Sequence, residues 1–148
     1  MKTGLVLSGG GARGISHVGV LKALDEFGVK IDCIAGTSAG SIVGSLYAYG
    51  YSPDQIMEII QATSFVRAMR PAWSLTGFLS LDGLRDVLKK YMPENSFEAL
   101  KLPITIAATD LRKGKAAYFS SGELIPAIMA SCCVPAVFRP VEFNGNFY

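Results

Sequence analysis

Apolar positions along the chain recur in two alternating rhythms, short strand-like runs and stripes at helical spacing, and together they predict a succession of strands and helices. Lys2 to Ser8 leads into an apolar run and predicts a first strand, followed by a glycine-rich turn from Gly9 to Gly14. Ile15, Val18, Leu21, Leu24 and Phe27 then form one helical stripe, which Gly28 is placed to stop. Ile31 to Ala35 predicts a second strand, and Ala39 to Tyr49 a helix that ends at Gly50. Strand, helix, strand, helix implies parallel strands joined by crossovers.

Ser52-Pro53 is a cap followed by proline at the first helical position, and Ile56, Ile59 and Ile60 supply the apolar face of the next helix. Asp82 is expected to cap a helix through Tyr91, with Leu84, Val87, Leu88 and Tyr91 inward. Between these helices, Phe65 to Ser80 shows no sustained period and is expected to be an irregular excursion. Leu102 to Asp110 predicts a third strand, Lys113-Gly114 a turn, and Lys115 to Phe119 a fourth strand. Glu123 to Ser131 predicts a short helix. Val137 to Phe143 and Phe147-Tyr148 are expected to be two arms around the hairpin signal Asn144-Gly145. The fold expected is α/β, a three-layer α/β/α arrangement around a mainly parallel central sheet.

Composition narrows the function classes. The 148 residues suit one domain, half of them are hydrophobic and 18% are charged, as befits a buried sheet. A net charge of +2 and the lack of a basic or aromatic stripe argue against nucleic acid as a partner. Neither a secretory leader nor an apolar run of about 18 residues is visible, and the expected location is cytoplasmic, with a peripheral inner-membrane contact left open. Cys33, Cys132 and Cys133 are odd in number and are expected to be small buried hydrophobes rather than a disulfide framework. A single histidine and no Cys-x-x-Cys give no metal site, and no cofactor is expected.

The chemistry concentrates at Gly36-Thr37-Ser38-Ala39-Gly40, a Gly-x-Ser-x-Gly sequence between a strand and a helix. There a serine is forced onto a tight turn with its hydroxyl out of the sheet, which makes Ser38 the candidate nucleophile. Gly40 and Gly44 let the following helix pack closely. Donors for a developing oxyanion are sought in Gly9-Gly10-Gly11-Ala12-Arg13-Gly14, where consecutive glycines let amides converge beside a helix terminus. Gly9, Gly11 and Gly14 also satisfy G-x-G-x-x-G, a phosphate cradle. That reading wants an acidic residue after the second strand, where Gly36-Thr37-Ser38 stands instead. Arg13 divides between contact with a lipid phosphate and bonds to nearby carbonyls or a carboxylate. His17 is expected to be a packing or hydrogen-bonding residue, Asp110 a turn cap, and Cys133 no nucleophile. Without histidine, a carboxylate must take the Ser38 proton directly.

The glycine turn, the elbow and Ser131-Cys132-Cys133-Val134-Pro135-Ala136-Val137-Phe138-Arg139-Pro140-Val141 closely resemble the patatin-like phospholipase family, particularly its small bacterial members. The resemblance implies a Ser-Asp dyad on Ser38, an oxyanion hole from Gly9, Gly10, Gly11, Arg13 and Gly14, and metal-independent hydrolysis of acyl esters in lipids. It also implies an aspartate in an Asp-Gly-Gly or Asp-Gly-Ala motif, whose place falls beyond Tyr148. The expectation is therefore one domain over 1–148, incomplete at its C-terminal end as a piece of a longer enzyme, with a natural short form lacking its base as the alternative, and inactive as it stands. An acyltransferase using the same serine, and a noncatalytic lipid-binding or regulatory protein, are the alternatives. A run of aromatic and basic residues, Phe65, Val66, Arg67, Met69, Arg70, Trp73, Leu75 and Phe78, is expected to pack against the body, with a lid or lipid-contacting surface as the alternative.

Overall fold

The computed structural model describes residues 2–63, 70–74 and 77–148, with side chains described outside 70–78. Its main sheet has the order β1-β2-β5-β6, built from β1 (Gly4–Leu7), β2 (Cys33–Thr37), β5 (Ile104–Asp110) and β6 (Lys115–Phe119). The first three strands run parallel and β6 closes the sheet antiparallel, through the tight turn at Gly114. Leu7, Gly36 and Ile106 stand in register across the parallel strands.

Crossovers between parallel strands need helices. They are supplied by α1 (Ser16–Glu26), α2 (Ala39–Tyr49), α3 (Pro53–Ala62) and α4 (Asp82–Tyr91). A fifth helix, α5 (Leu124–Cys132), follows the antiparallel strand and packs on β5. Helix α2 lies on the sheet face of Leu7, Ile34 and Ile104, whose side chains all approach Gly44. Those three residues join Val18, Leu21, Val43, Leu46, Ile106 and Ile128 in one buried core. The opposite face carries Val6, 78% exposed, and Tyr118, 71% exposed. Cys33 shares that face by the alternation of β2 and is exposed, contrary to the expected burial of all three cysteines. Cys132 is buried and Cys133 partly so.

Several boundaries move for identifiable reasons. The second strand begins at Cys33 rather than Ile31 and runs on to Thr37, because parallel pairing opposite Ala107 extends it through Gly36. Ile15 and Phe27, the ends of the predicted α1 stripe, are 44% and 85% exposed. Ile15 belongs to a 3-10 turn over Gly11–Ile15, whose period differs from that of the helix, and Phe27 lies just past the helix end, where Gly28 turns the chain at φ 67°. Helix α4 begins at Asp82, with Leu81 in the cap position and Asp82 in the first turn. Helix α3 opens as expected: Ser52 accepts from the Gln55 amide and the Gln55 side chain returns the bond, a reciprocal cap worth about 1 kcal/mol.

The expected irregular excursion contains paired backbone. β3 (Arg70–Ser74) and β4 (Gly77–Ser80) are antiparallel, and β4 also pairs in parallel with β7 (Ala136–Phe138). Proline in the first of these hides the strand pattern, and Pro71 is accommodated because β3 is the edge of that small sheet. The same pairing splits the predicted hairpin arm at 137–143: only β8 (Glu142–Phe143) pairs with β9 (Asn146–Phe147), around Asn144 and Gly145 at φ 50° and 72°. This hairpin is fixed to β6 by Phe119, whose ring meets Phe143 at 5.5 Å and Tyr148 at 5.3 Å. The candidate lid or lipid-contacting run over 65–78 falls on residues or side chains outside those described. Among the described residues no helix is long and apolar enough to cross a membrane.

Candidate active site

Ser38 stands where β2 turns into α2, with φ 50° and ψ −120°. That is a backbone region L-residues rarely occupy, and it costs about 1–3 kcal/mol unless the surroundings fix it. Serine before a helix ordinarily caps it through its hydroxyl. Here the side chain makes no capping bond; instead the Ser38 carbonyl accepts from the Ser41 amide at 2.9 Å, the Ile42 amide at 3.2 Å and the Ser41 hydroxyl at 2.6 Å. The helix start is satisfied by main chain and by Ser41, which leaves the Ser38 hydroxyl free of the helix cap. Ser38 itself is partly exposed.

Close approach makes this turn obligatory. A Cβ at Gly40 would collide with the Leu7 carbonyl and crowd the Ser8 oxygen, so α2 is seated directly on the end of β1. One at Gly14 would overlap Ala39. The glycine turn is thereby brought to the elbow: a Cβ at Gly9 would stand 3.3 Å from the Ser38 Cβ. Gly9 and Gly10 donate no amide hydrogen bond among the described residues, and Gly11 opens the 3-10 turn at φ 54° with open space at its Cβ position. Arg13 is exposed and forms no ion pair among the described residues.

The other candidates are committed elsewhere. His17 donates from Nε2 to the Ser8 carbonyl at 2.8 Å, tying the start of the glycine turn to α1. Asp110 is buried, and its Oδ1 accepts from the amides of Arg112 and Lys113, each at 3.0 Å, with Lys113 Nζ 3.6 Å from Oδ2. The Lys113 amide above all holds this carboxyl below its ordinary range, against the opposing effect of burial. Asp110 is the turn cap that the sequence suggested. Burial pushes the Cys132 thiol up to about 12, although the Ser41 and Ser38 hydroxyls beside it pull the other way. It is a protonated wall of the site. Burial also raises Cys133. Among the described residues no cluster of three metal-ligating side chains occurs.

Two features were missed in the sequence. Ser131 Oγ accepts from the Ser38 amide at 2.7 Å and donates to the Ala107 carbonyl at 2.6 Å, although Ser38 and Ser131 are 93 residues apart. The available signal was a single hydroxyl in an otherwise apolar α5. The second is a cleft of about 420 Å³ between α4, α5 and the segment leading into β8, with Leu81, Arg85, Met129, Arg139, Val141 and Phe147 among its walls. Ser38 does not line it.

The sequence pattern that builds this geometry is shared with known proteins. The family model of patatin-like phospholipases matches residues 5–148. The chain belongs to the patatin-like phospholipase family. An NTE family protein of Mycobacterium tuberculosis is 36% identical over 147 residues, 98% of this chain and 41% of that protein. Lysophospholipase nte1 of Aspergillus fumigatus is 34% identical over 152 residues, 97% of this chain and 10% of that protein. This patatin-like chain thus spans less than half the length of these relatives. Among solved structures, VipD from Legionella pneumophila superposes with a TM-score of 0.63 at 17% identity, over 99% of this chain and 45% of that one. ExoU of Pseudomonas aeruginosa, in its complex with SpcU, gives 0.61 at 18% identity, over 88% and 38%. Both share the α/β fold with a mainly parallel sheet flanked by helices.

Proposed function

We propose that this chain carries the nucleophile of a lipid acyl hydrolase. The observation that carries the reading is Ser38, held at φ 50° with its hydroxyl free of the helix cap and against the glycine turn. Ser38 Oγ attacks the ester carbonyl. The carbonyl oxygen takes negative charge and receives hydrogen bonds from the amides of Gly9, Gly10 and Gly11, in the loop completed by Arg13 and Gly14. Collapse breaks the carbon–oxygen bond to the leaving alcohol and leaves an acyl-enzyme, which water then hydrolyses.

His17 and Asp110 are both occupied, so neither takes the Ser38 proton in this proposal; the family resemblance implies an aspartate for that step, which then returns the proton to the leaving alcohol. The lipid class of substrate is supported by the family's description and by the relative called a lysophospholipase. The test is a fluorophosphonate probe applied to the full-length protein and to Ser38→Ala. Labelling is expected to drop by at least about 10⁴-fold in the variant. Equal labelling of the two proteins contradicts the assignment.

A further inference from the structure

The geometry points to Ser131 as a positioning residue for the nucleophile, an inference that rests on the reading of Ser38 above. A residue at φ 50° and ψ −120° relaxes unless its neighbours hold it. From the carbonyl side, the Ser38 oxygen is held by the first turn of α2. From the amide side, it is held by one atom, Ser131 Oγ at 2.7 Å, which is itself anchored at 2.6 Å on the Ala107 carbonyl of β5. Both bonds lie at the short end of the usual range.

Helix α5 is rigidly placed for this purpose. Its first turn is caught by Asn95, whose Oδ1 accepts from the Ile125 amide at 2.7 Å while its carbonyl accepts from the Leu124 amide at 3.2 Å. Leu124, Ile125, Ile128 and Met129 are buried along its length. Ser131 therefore clamps the elbow to the neighbouring strand through a fixed helix. The clamp also decides which donors face the oxyanion. With its amide committed to Ser131, Ser38 has none to offer, and the oxyanion donors must come from other amides, such as those of the glycine turn.

The full-length protein, Ser131→Ala, Ser131→Thr and Ser38→Ala are compared for fluorophosphonate inactivation rate, for short-chain ester hydrolysis, and for deuterium uptake in the peptide that contains Ser38. Ser131→Ala is expected to lower the inactivation rate and kcat about 100-fold, the scale of a small misplacement of a reacting group. KM should stay within about two-fold, because binding is untouched. Ser131→Thr keeps the hydroxyl and is expected to recover most of both rates. Deuterium uptake at the elbow should quicken in Ser131→Ala and return to the wild-type rate in Ser131→Thr. Should the alanine variant fail to fold, Ser131→Cys keeps most of the volume with a much weaker hydrogen-bonding group and is expected to be impaired in the same way. Wild-type rates in Ser131→Ala or Ser131→Cys, or a threonine variant as slow as alanine, overturn the inference. A Ser38→Ala protein that labels like wild type removes the nucleophile itself and the inference with it, a result distinct from failure at Ser131 alone.

Discussion

Strands β2 and β5 lie side by side and end toward the same edge of the sheet, but they finish in opposite ways. β2 stops at Thr37, opposite Ala107, and turns at once through Ser38 into α2. β5 continues to Asp110, about 10 Å further along the strand at ordinary rise, before its own tight turn. At the first end the side-chain hydroxyl is released from capping the helix, since main chain, Ser41 and Ser131 satisfy the backbone. At the second end the carboxylate is consumed, since two amides and Lys113 surround it. The contrast teaches that a polar group at a strand end is available for chemistry only when something else has taken over its structural work. Counting carboxylates near a nucleophile is no substitute for asking what each one already holds.

The comparison breaks most severely at Gly40. Gly40→Ala places a methyl group on the Leu7 carbonyl, and α2 must lift from β1. A loss of about 3 kcal/mol or more in thermal or denaturant unfolding is expected, at the upper end of overpacking effects, together with loss of probe labelling. Gly9→Ala is gentler on the fold and harder on the chemistry. Its new Cβ would stand 3.3 Å from that of Ser38, crowding the proposed oxyanion space. Labelling should slow by about 100-fold, the scale of a lost oxyanion donor, with an unfolding midpoint close to wild type.

Asp110→Asn sharpens the other end of the comparison and has the smallest effect on reactivity. Labelling should stay within about two-fold, because the residue serves the turn and not the serine. Its signature is pH dependence. The folded-state pKa is depressed, chiefly by the Lys113 amide, so the stabilisation is complete above the ordinary carboxylate range and disappears as pH falls through the folded value. The unfolding midpoint of the wild type should therefore fall more between pH 7 and acid than that of Asp110→Asn, which starts lower and loses less. Parallel curves for the two proteins would show that the carboxylate does not hold the turn.

Much of this arrangement was legible in the chain because local chemistry enforces it. The span of α2, the cap at Ser52 and Gln55, the turn at Gly114 and the hairpin at Asn144-Gly145 each follow from residues within a few positions of one another. Ser38 and the Gly9 turn belong with them, since short glycine-rich motifs at strand ends declare their conformations. What was not legible depends on contacts distant in sequence. The pairing of β4 with β7 joins a stretch containing Pro71 to one expected in a hairpin arm. Ser131 reaches Ser38 only after α5 has been laid against β5. Cys33 and Val6 are exposed because of the sheet face they share, which an apolar run does not reveal.

The strained serine at the end of β2 is the proposed reacting group. The most direct test of that role is to trap the full-length protein with a fluorophosphonate, digest it and locate the adduct by mass spectrometry. A single adduct on Ser38, in the peptide that joins β2 to α2, is expected. An adduct on another residue, or no adduct in a protein that hydrolyses lipid esters, would contradict it.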